Sequence, residues 1–330
     1  MFLKKNSGFT IVEILVAITI GIILTGFLVS IFNNNKKAYN SNNRMIELNS
    51  NIRFAMAIIR DDLINAGYYG GLTSRDTITA RSNFSNSLCN DSTNNIQFST
   101  STNYPIWGYQ AASDPEIGCL SGVTAGTDYI SIRGVRGSAT PDGSLEGDSV
   151  YVRAGKTTGE FVADGLGSSI PSSTNMNWKY YSHIYYICQN RLLRQALVYD
   201  SGSNSSVWET HVLVGPELDG TCDSGDSHTN SGIENMQFSY GIDNDEDGVV
   251  DYFTDATNIT TNALWNNVVE VKIFLLARSA QDLAYTDSKT YTIDSISITP
   301  TEKNFHRKVF SSTVFLRNTW YGILNDPGSI

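Results

Sequence analysis

The chain has 330 residues and carries 23 Lys and Arg against 33 Asp and Glu, a formal net charge of −10 with a pI near 4.8. It is long enough to bury the core of one large domain or two smaller ones. Its acidic balance argues against a surface that attracts phosphate backbones, so no nucleic-acid partner is expected. Charged residues make up 17% while Tyr reaches 17 copies among abundant Asn, Ser, Thr and Gly, the balance of a β-rich extracellular surface rather than of a helical cytosolic enzyme.

Residues 1–8 are polar, with Lys4 and Lys5, and precede an apolar run over residues 9–32 whose single charge is Glu13. At about 1.5 Å per residue, a helix over that run reaches roughly 36 Å, enough to cross a hydrocarbon layer of about 30 Å. Lys36 and Lys37 follow the run, so charge count decides its orientation only weakly. No small-residue cleavage site follows Phe32, as an ordinary signal peptide would require. A carboxylate at Glu13, close to the start of the span, is costly unless a cation neutralises it or the side chain snorkels to water.

Beyond residue 32 the chain turns polar, with Asn33, Asn34 and Asn35, yet Met45, Leu48, Ile52, Ala55, Ile59 and Leu63 recur at helical spacing and paint one apolar stripe. No proline interrupts residues 9–66, and Gly67, Gly70 and Gly71 supply the stop, so a nearly continuous helix is expected, with two helices joined in the Asn-rich stretch as the alternative. Residues 73–231 read as loops and short strands. Residues 129–133 and 149–153 alternate, residues 183–188 form a compact aromatic and aliphatic run, and residues 82–95 and 165–177 read as surface insertions. No linker marks a second domain.

The acidic segment at residues 243–251 places Asp243, Asp245, Asp247 and Asp251 at loop positions one, three, five and nine, with Gly248 at six. A hard cation such as Ca2+ takes six to eight oxygens, and this spacing wraps carboxylates around one point, with the Val249 carbonyl as a further ligand. Position twelve is Thr254 instead of the usual Glu, which leaves Asp255 or water to complete the shell. Residues 233–240 before the loop alternate as a strand, so a calcium-binding hairpin loop is expected and not a helix-flanked sensor. Long β-branched strands follow at residues 268–279 and 307–318, where Arg278 and Arg317 would hold nearby carboxylates more readily than a partner.

Cys89, Cys119, Cys188 and Cys222 are widely spaced, with no C-x-x-C pair, which suits disulfides in an oxidising compartment. Three pairings are open; the entropy of loop closure slightly favours Cys89 with Cys119 and Cys188 with Cys222. Catalytic signatures are missing. The Gly155, Lys156, Thr157 run lacks the upstream glycine of a phosphate loop, and His183, His211, His228 and His306 share no ligand spacing. A non-enzymatic protein is expected.

The run KKNSGFTIVEILVAI, from Lys4 to Ile18, resembles the class III signal of type IV prepilins. The segment RFAMAIIRDDLINAGYYG resembles the helix end of the PilW group of minor pilins, departing from it with Asn65 and Gly71 where a basic residue and a cysteine are common. The strands at 268–279 and 307–318 resemble that group's closing motifs. The resemblance implies an α+β, type IV pilin-like fold in which a long N-terminal helix packs on an antiparallel β-rich head. It divides the chain into a leader (1–8), a transmembrane and filament-core helix (9–32), an amphipathic outer half (33–71) and a globular head (72–330). It further implies cleavage between Gly8 and Phe9 by a prepilin peptidase, N-methylation of Phe9, and pairing of the new amine with Glu13 of a neighbouring subunit. In family terms the protein sits in the inner membrane with its head in the periplasm. It then joins other minor pilins and the major pilin in a priming or tip complex on the cell surface, serving adhesion, twitching motility or DNA uptake, with a large tip adhesin as a further expected partner. Related heads carry calcium loops. The J-type pseudopilin of type II secretion and a tip adhesin are the alternatives.

Overall fold

The computed structural model describes residues 9–72, 77–80, 82–84, 89–91, 96–100, 102, 104–110, 117–155, 157–168, 170, 176–217, 222 and 229–318. Two compact units divide at residues 46 and 47. One helix, α1 (Ile11–Asn65), runs unbroken for 55 residues through the Asn-rich stretch, so the alternative of two joined helices does not hold. Within the first unit every α1 residue from 11 to 40 is exposed.

In the second unit α1 buries Leu48, Ile52, Ala55, Met56, Ile59, Asp62 and Leu63, the expected stripe with one acidic member. The helix stops where Gly67 takes φ 78°, a left-handed conformation that a side chain would strain. Its last turn is fastened from far along the chain, since Asn318 Nδ2 donates to the carbonyls of Ile64 (3.2 Å) and Ala66 (3.3 Å), two of the acceptors a helix end leaves open.

The larger sheet is built on β8 (Met176–Cys188). One edge of β8 pairs with β5 (Asp128–Thr140), which continues to β4 (Ile106–Gln110). Its other edge is shared by β6 (Tyr151–Ala154) and β9 (Arg191–Asp200). Beyond β6 lie β7 (Gly159–Val162) and β1 (Ile78–Thr79), and beyond β9 lies β10 (Ser205–Val214). All pairs are antiparallel except the two-residue β1–β7 contact. The smaller sheet has the order β12 (Tyr252–Thr254), β11 (Gly232–Ile242), β13 (Val268–Arg278), β16 (Arg307–Phe315), all antiparallel. Two short hairpins, β2 (Asn90–Asp91) with β3 (Ile96–Gln97) and β14 (Tyr291–Ile293) with β15 (Ile296–Ile298), complete the strands described.

Alternation along β5 explains the layering. Ile130 and Ile132 face α1 and share a core with its Leu48, Ile52, Ile59 and Leu63, and the same core takes Ile233, Met236, Phe238, Val271 and Ile273 from the smaller sheet. Each such side chain contributes about 1.5–3 kcal/mol when fully buried. Gly134 is required where the helix end meets β5, because a Cβ there would stand 2.6 Å from the Asn65 carbonyl oxygen. A long-helix, β-rich, antiparallel α+β fold is therefore what the chain adopts.

The β9–β10 hairpin is the main element that the sequence pattern does not reveal. Its turn residues are polar, and its strands mix Arg194, Gln195, Glu209 and Thr210 with apolar residues instead of alternating cleanly.

Candidate functional site

Thr10 and Glu13 form a reciprocal cap at the start of α1. The Thr10 backbone N–H (2.9 Å) and hydroxyl (3.0 Å) donate to Glu13 Oε2, and the Glu13 N–H donates to Thr10 Oγ1 at 3.3 Å. The T-x-x-E spacing is a capping box, which satisfies donors that a helix start leaves unpaired. Deeper in the apolar stretch, Thr19 Oγ1 donates to the carbonyls of Leu15 and Val16, and Thr25 Oγ1 donates to that of Gly21. These hydroxyls therefore present no unpaired donor to a lipid phase, where an unmet one is costly. Phe9 is 84% exposed, and Ile11, Leu15, Ile22, Leu24, Phe27 and Phe32 are all exposed as well. A helix this apolar, with nothing in its own unit covering it, fits a hydrocarbon environment. Gly8 and the rest of the leader lie outside the described residues.

The other acidic residue that matters on α1 is Asp62, 2% exposed. Its Oδ2 accepts from His183 Nδ1 (2.5 Å) and from the Tyr185 hydroxyl (2.5 Å), while Tyr181 donates to its backbone carbonyl at 2.7 Å. Arg136 Nη1 lies 3.5 Å from Oδ1, and Arg136 Nη2 lies 3.4 Å from His183 Nε2. Burial alone would raise the Asp62 carboxyl, but His183, then Tyr185 and Arg136, hold it below its usual range. Burial pushes the His183 imidazole down despite the Asp62 charge. The resulting chain of donors is consistent: Arg136 donates to His183 Nε2, and neutral His183 donates through Nδ1 to ionised Asp62. It fastens the outer part of α1 to β5 and β8. Sequence spacing leaves His183 without a ligand role and Asp62 unmarked, because the partners of Asp62 are 74 to 123 residues away. Arg60 and Asp61 beside it are exposed.

The acidic segment closes the β11–β12 hairpin, where Ile242 pairs with Tyr252. Ligand oxygens of Asp243, Asp245 and Asp247 lie within 4.8 Å of one another, a group that could hold a metal ion. Gly248 N–H donates to Asp243 Oδ2 at 2.8 Å, Asn244 N–H to Asp251 Oδ2 at 2.8 Å, and Val249 N–H to Asp247 Oδ1 at 2.8 Å. Asp243 is 2% exposed, and its Oδ1 is buried without a hydrogen-bond donor. Asp251 therefore braces the loop's backbone. Asp255, expected as a ligand, instead caps the short helix α2 (Ala256–Asn262) by accepting from Asn258 N–H at 2.8 Å, and it stands apart from the group of three.

Cys89 bonds to Cys119 and Cys188 to Cys222, with Cα separations of 4.9 and 6.2 Å. Arg278 contacts Glu302 at 2.7 Å and Glu234 at 3.5 Å, and Arg307 grips Glu234 with two nitrogens at 2.6 and 2.9 Å. Phe305 lies against both guanidiniums, 4.3 and 5.5 Å away. Arg278 thus holds carboxylates, while Arg317 is exposed. His211 and His306 are partly buried and far from any shared ligand geometry, and His228 lies outside the described residues.

A basic leader, a glycine and aromatic at its boundary, a capped carboxylate opening an exposed apolar helix, and a β-rich head closed on that helix's outer turns define a type IV pilin. The sequence model described as the prokaryotic N-terminal methylation motif matches residues 3–29, and that described as type IV pilus-assembly protein W matches residues 185–318. Together these matches support a PilW-type type IV pilin, a minor pilin associated with the pilus, whose N-terminal helix is long and apolar enough to anchor it in a membrane. Comparison with curated proteins and with solved structures finds no match. The family is one of structural subunits that associate with other pilins and the pilus machinery.

Proposed function

We propose that this minor pilin acts in the complex that primes pilus assembly and remains near the filament tip. Supporting this is the size of its head: twelve strands in two sheets, over a unit that runs from residue 47 to residue 330, are bulky for a subunit repeated along a fibre. The prepilin peptidase cuts between Gly8 and Phe9, Phe9 is methylated, and its amine pairs with Glu13 of the adjoining subunit. Before extraction the head faces the periplasm; afterwards it meets other minor pilins, the major pilin and whatever adhesin occupies the tip. Mass spectrometry of protein recovered from sheared filaments tests both parts. A methylated Phe9 N-terminus at a small fraction of the major pilin's abundance is expected, and equal abundance overturns the tip assignment.

The acidic loop supports a second reading, a structural Ca2+ bound by Asp243, Asp245 and Asp247. The orphaned, buried Asp243 Oδ1 carries it, since a buried carboxylate oxygen without a donor costs roughly 1–3 kcal/mol or more. A cation would satisfy that oxygen and relieve the repulsion among the three acids. At a hundred-fold excess over its dissociation constant, Ca2+ should stabilise the head by about 2.7 kcal/mol, read as a rise in melting temperature that Asp247→Ala removes. Identical melting in Ca2+ and in chelator sinks this reading.

A further inference from the structure

The large sheet has two faces, and only one of them meets α1. On β5, residues 130, 132, 134 and 136 face the helix, where Ala66 bridges to Gly134 and Arg136 reaches Asp62. Residues 129, 131, 133 and 135 face the other way, as strand alternation requires. Arg133 is on that second face, paired in register with Ser182 of β8, and it is completely buried. The Phe98 ring lies beneath its guanidinium, 5.3 Å from centroid to Cζ.

None of the three guanidinium nitrogens of Arg133 has a hydrogen-bond partner. That sets it apart from the other buried arginines described. Arg153 donates to Asn177, Ile170 and Asp142; Arg191 donates to the Pro216 carbonyl and Gln189; Arg278 and Arg307 reach Glu234, Glu302 and Asp287. Among the described residues no carboxylate pairs with Arg133. Asp91 accepts from the Tyr109 hydroxyl, and Asp62 lies on the helix side of the sheet with Arg136. Two residues along, Ser131 Oγ is buried and unpartnered too. A guanidinium offers five N–H donors and no acceptor, and it keeps its charge in proteins. A ring face compensates part of the cost of burying that charge, and a full counter-charge compensates far more.

We propose that Arg133 holds a small monovalent anion of the halide class, chloride under physiological conditions, enclosed on the outer face of the large sheet with the Ser131 hydroxyl as a second donor. Complete enclosure selects for size: a single-atom anion needs the least room and accepts from several directions at once. Burial also depresses the Arg133 guanidinium below its ordinary value, with the phenols of Tyr180, Tyr69 and Tyr109 acting weakly the other way. The anion is taken up as the sheet closes, so it belongs to the folded head and not to a surface equilibrium.

The test is thermal unfolding of the full-length protein in detergent micelles, in sodium chloride, sodium bromide or sodium gluconate at matched ionic strength, together with crystals grown in bromide. Each tenfold rise in halide above the dissociation constant should raise the melting temperature by about 3 °C, and gluconate should not reproduce the effect. Arg133→Met should abolish the halide dependence, and Ser131→Ala should weaken halide binding about tenfold while the fold is kept. Bromide should give an anomalous peak within hydrogen-bonding distance of the Arg133 guanidinium, a result that stands even if Arg133→Met does not fold. Equal melting in chloride and gluconate, halide dependence that survives in Arg133→Met, or a bromide map without a peak at Arg133 would each overturn the proposal and leave ordered water as the occupant.

Discussion

The two stretches of α1 on either side of residue 46 handle an acidic side chain in opposite ways. Glu13 lies in the apolar stretch, and among the described residues its side chain is hydrogen-bonded to Thr10, one turn away, a cap written in four consecutive residues. Asp62 lies in the amphipathic stretch and draws a histidine, two tyrosines and an arginine from two strands of the large sheet. The first carboxylate stays exposed, and the second is enclosed. What separates them is whether the surrounding stripe is covered by the same chain.

That contrast breaks most visibly at Asp62. Asp62→Ala strands His183, Tyr185 and Arg136 without their acceptor and should cost about 3–5 kcal/mol, the range for removing one partner of a buried charged pair. Thermal unfolding of the detergent-solubilised protein reads this as a drop on the order of 10 °C, and a drop below about 2 °C would mean the cluster does not hold α1 to the sheet.

Acidity should sharpen the same point, because two sites in the head respond to pH with opposite signs. Asp62 and His183 both titrate below their ordinary values of 3.8 and 6.5, so the stability they supply is present above pH 6.5 and drains away as pH falls through the folded-state values. Asp128 behaves the other way. Burial, with the charges of Asp255 and Asp294, outweighs the Phe238 N–H bond and pushes its carboxyl up to about 7. Its contribution is whole below pH 3.8 and is lost as pH rises through about 7, by at most about 4 kcal/mol. Asp128→Asn should remove the fall in stability that Asp128 causes between pH 3.8 and about 7; an unchanged slope over that window would remove Asp128 from the account.

Glu13→Gln should give the smallest change in melting, within about 1 °C, since the side chain is exposed and makes a single local cap. It should nevertheless reduce recovery of the protein in sheared filaments at least about tenfold, the equivalent of one lost charge-assisted contact. Incorporation at the wild-type level would separate Glu13 from assembly.

Sequence legibility follows the range of the interactions. The helix, its stop at Gly67, the strands at β5, β8, β11, β13 and β16 and the acidic hairpin loop depend on neighbours within a few residues, and periodicity or spacing exposes them. Asp62 and Arg133 do not. Asp62 occupies a stripe position where an apolar residue is expected, and its meaning comes from His183 and Tyr185 in a strand more than a hundred residues later. Arg133 reads as the polar end of an alternating strand until the fold reveals it as wholly enclosed. Asp255 shows the converse: one residue beyond the twelfth loop position, it is equally well placed to start a helix, and it caps α2.

Asn318 is among the last residues described, and it grips carbonyls at the end of the first helix across a separation of 254 residues. Nearby, Lys308 of β16 reaches Asn49 of α1 at 2.8 Å. The last turn of α1 thus waits for a residue 254 positions later before it is closed, an arrangement of long-range contacts that slows folding. While translation and export are under way, the apolar stretch can already rest in the bilayer, and a head lacking β16 leaves both the helix end and one side of β13 open.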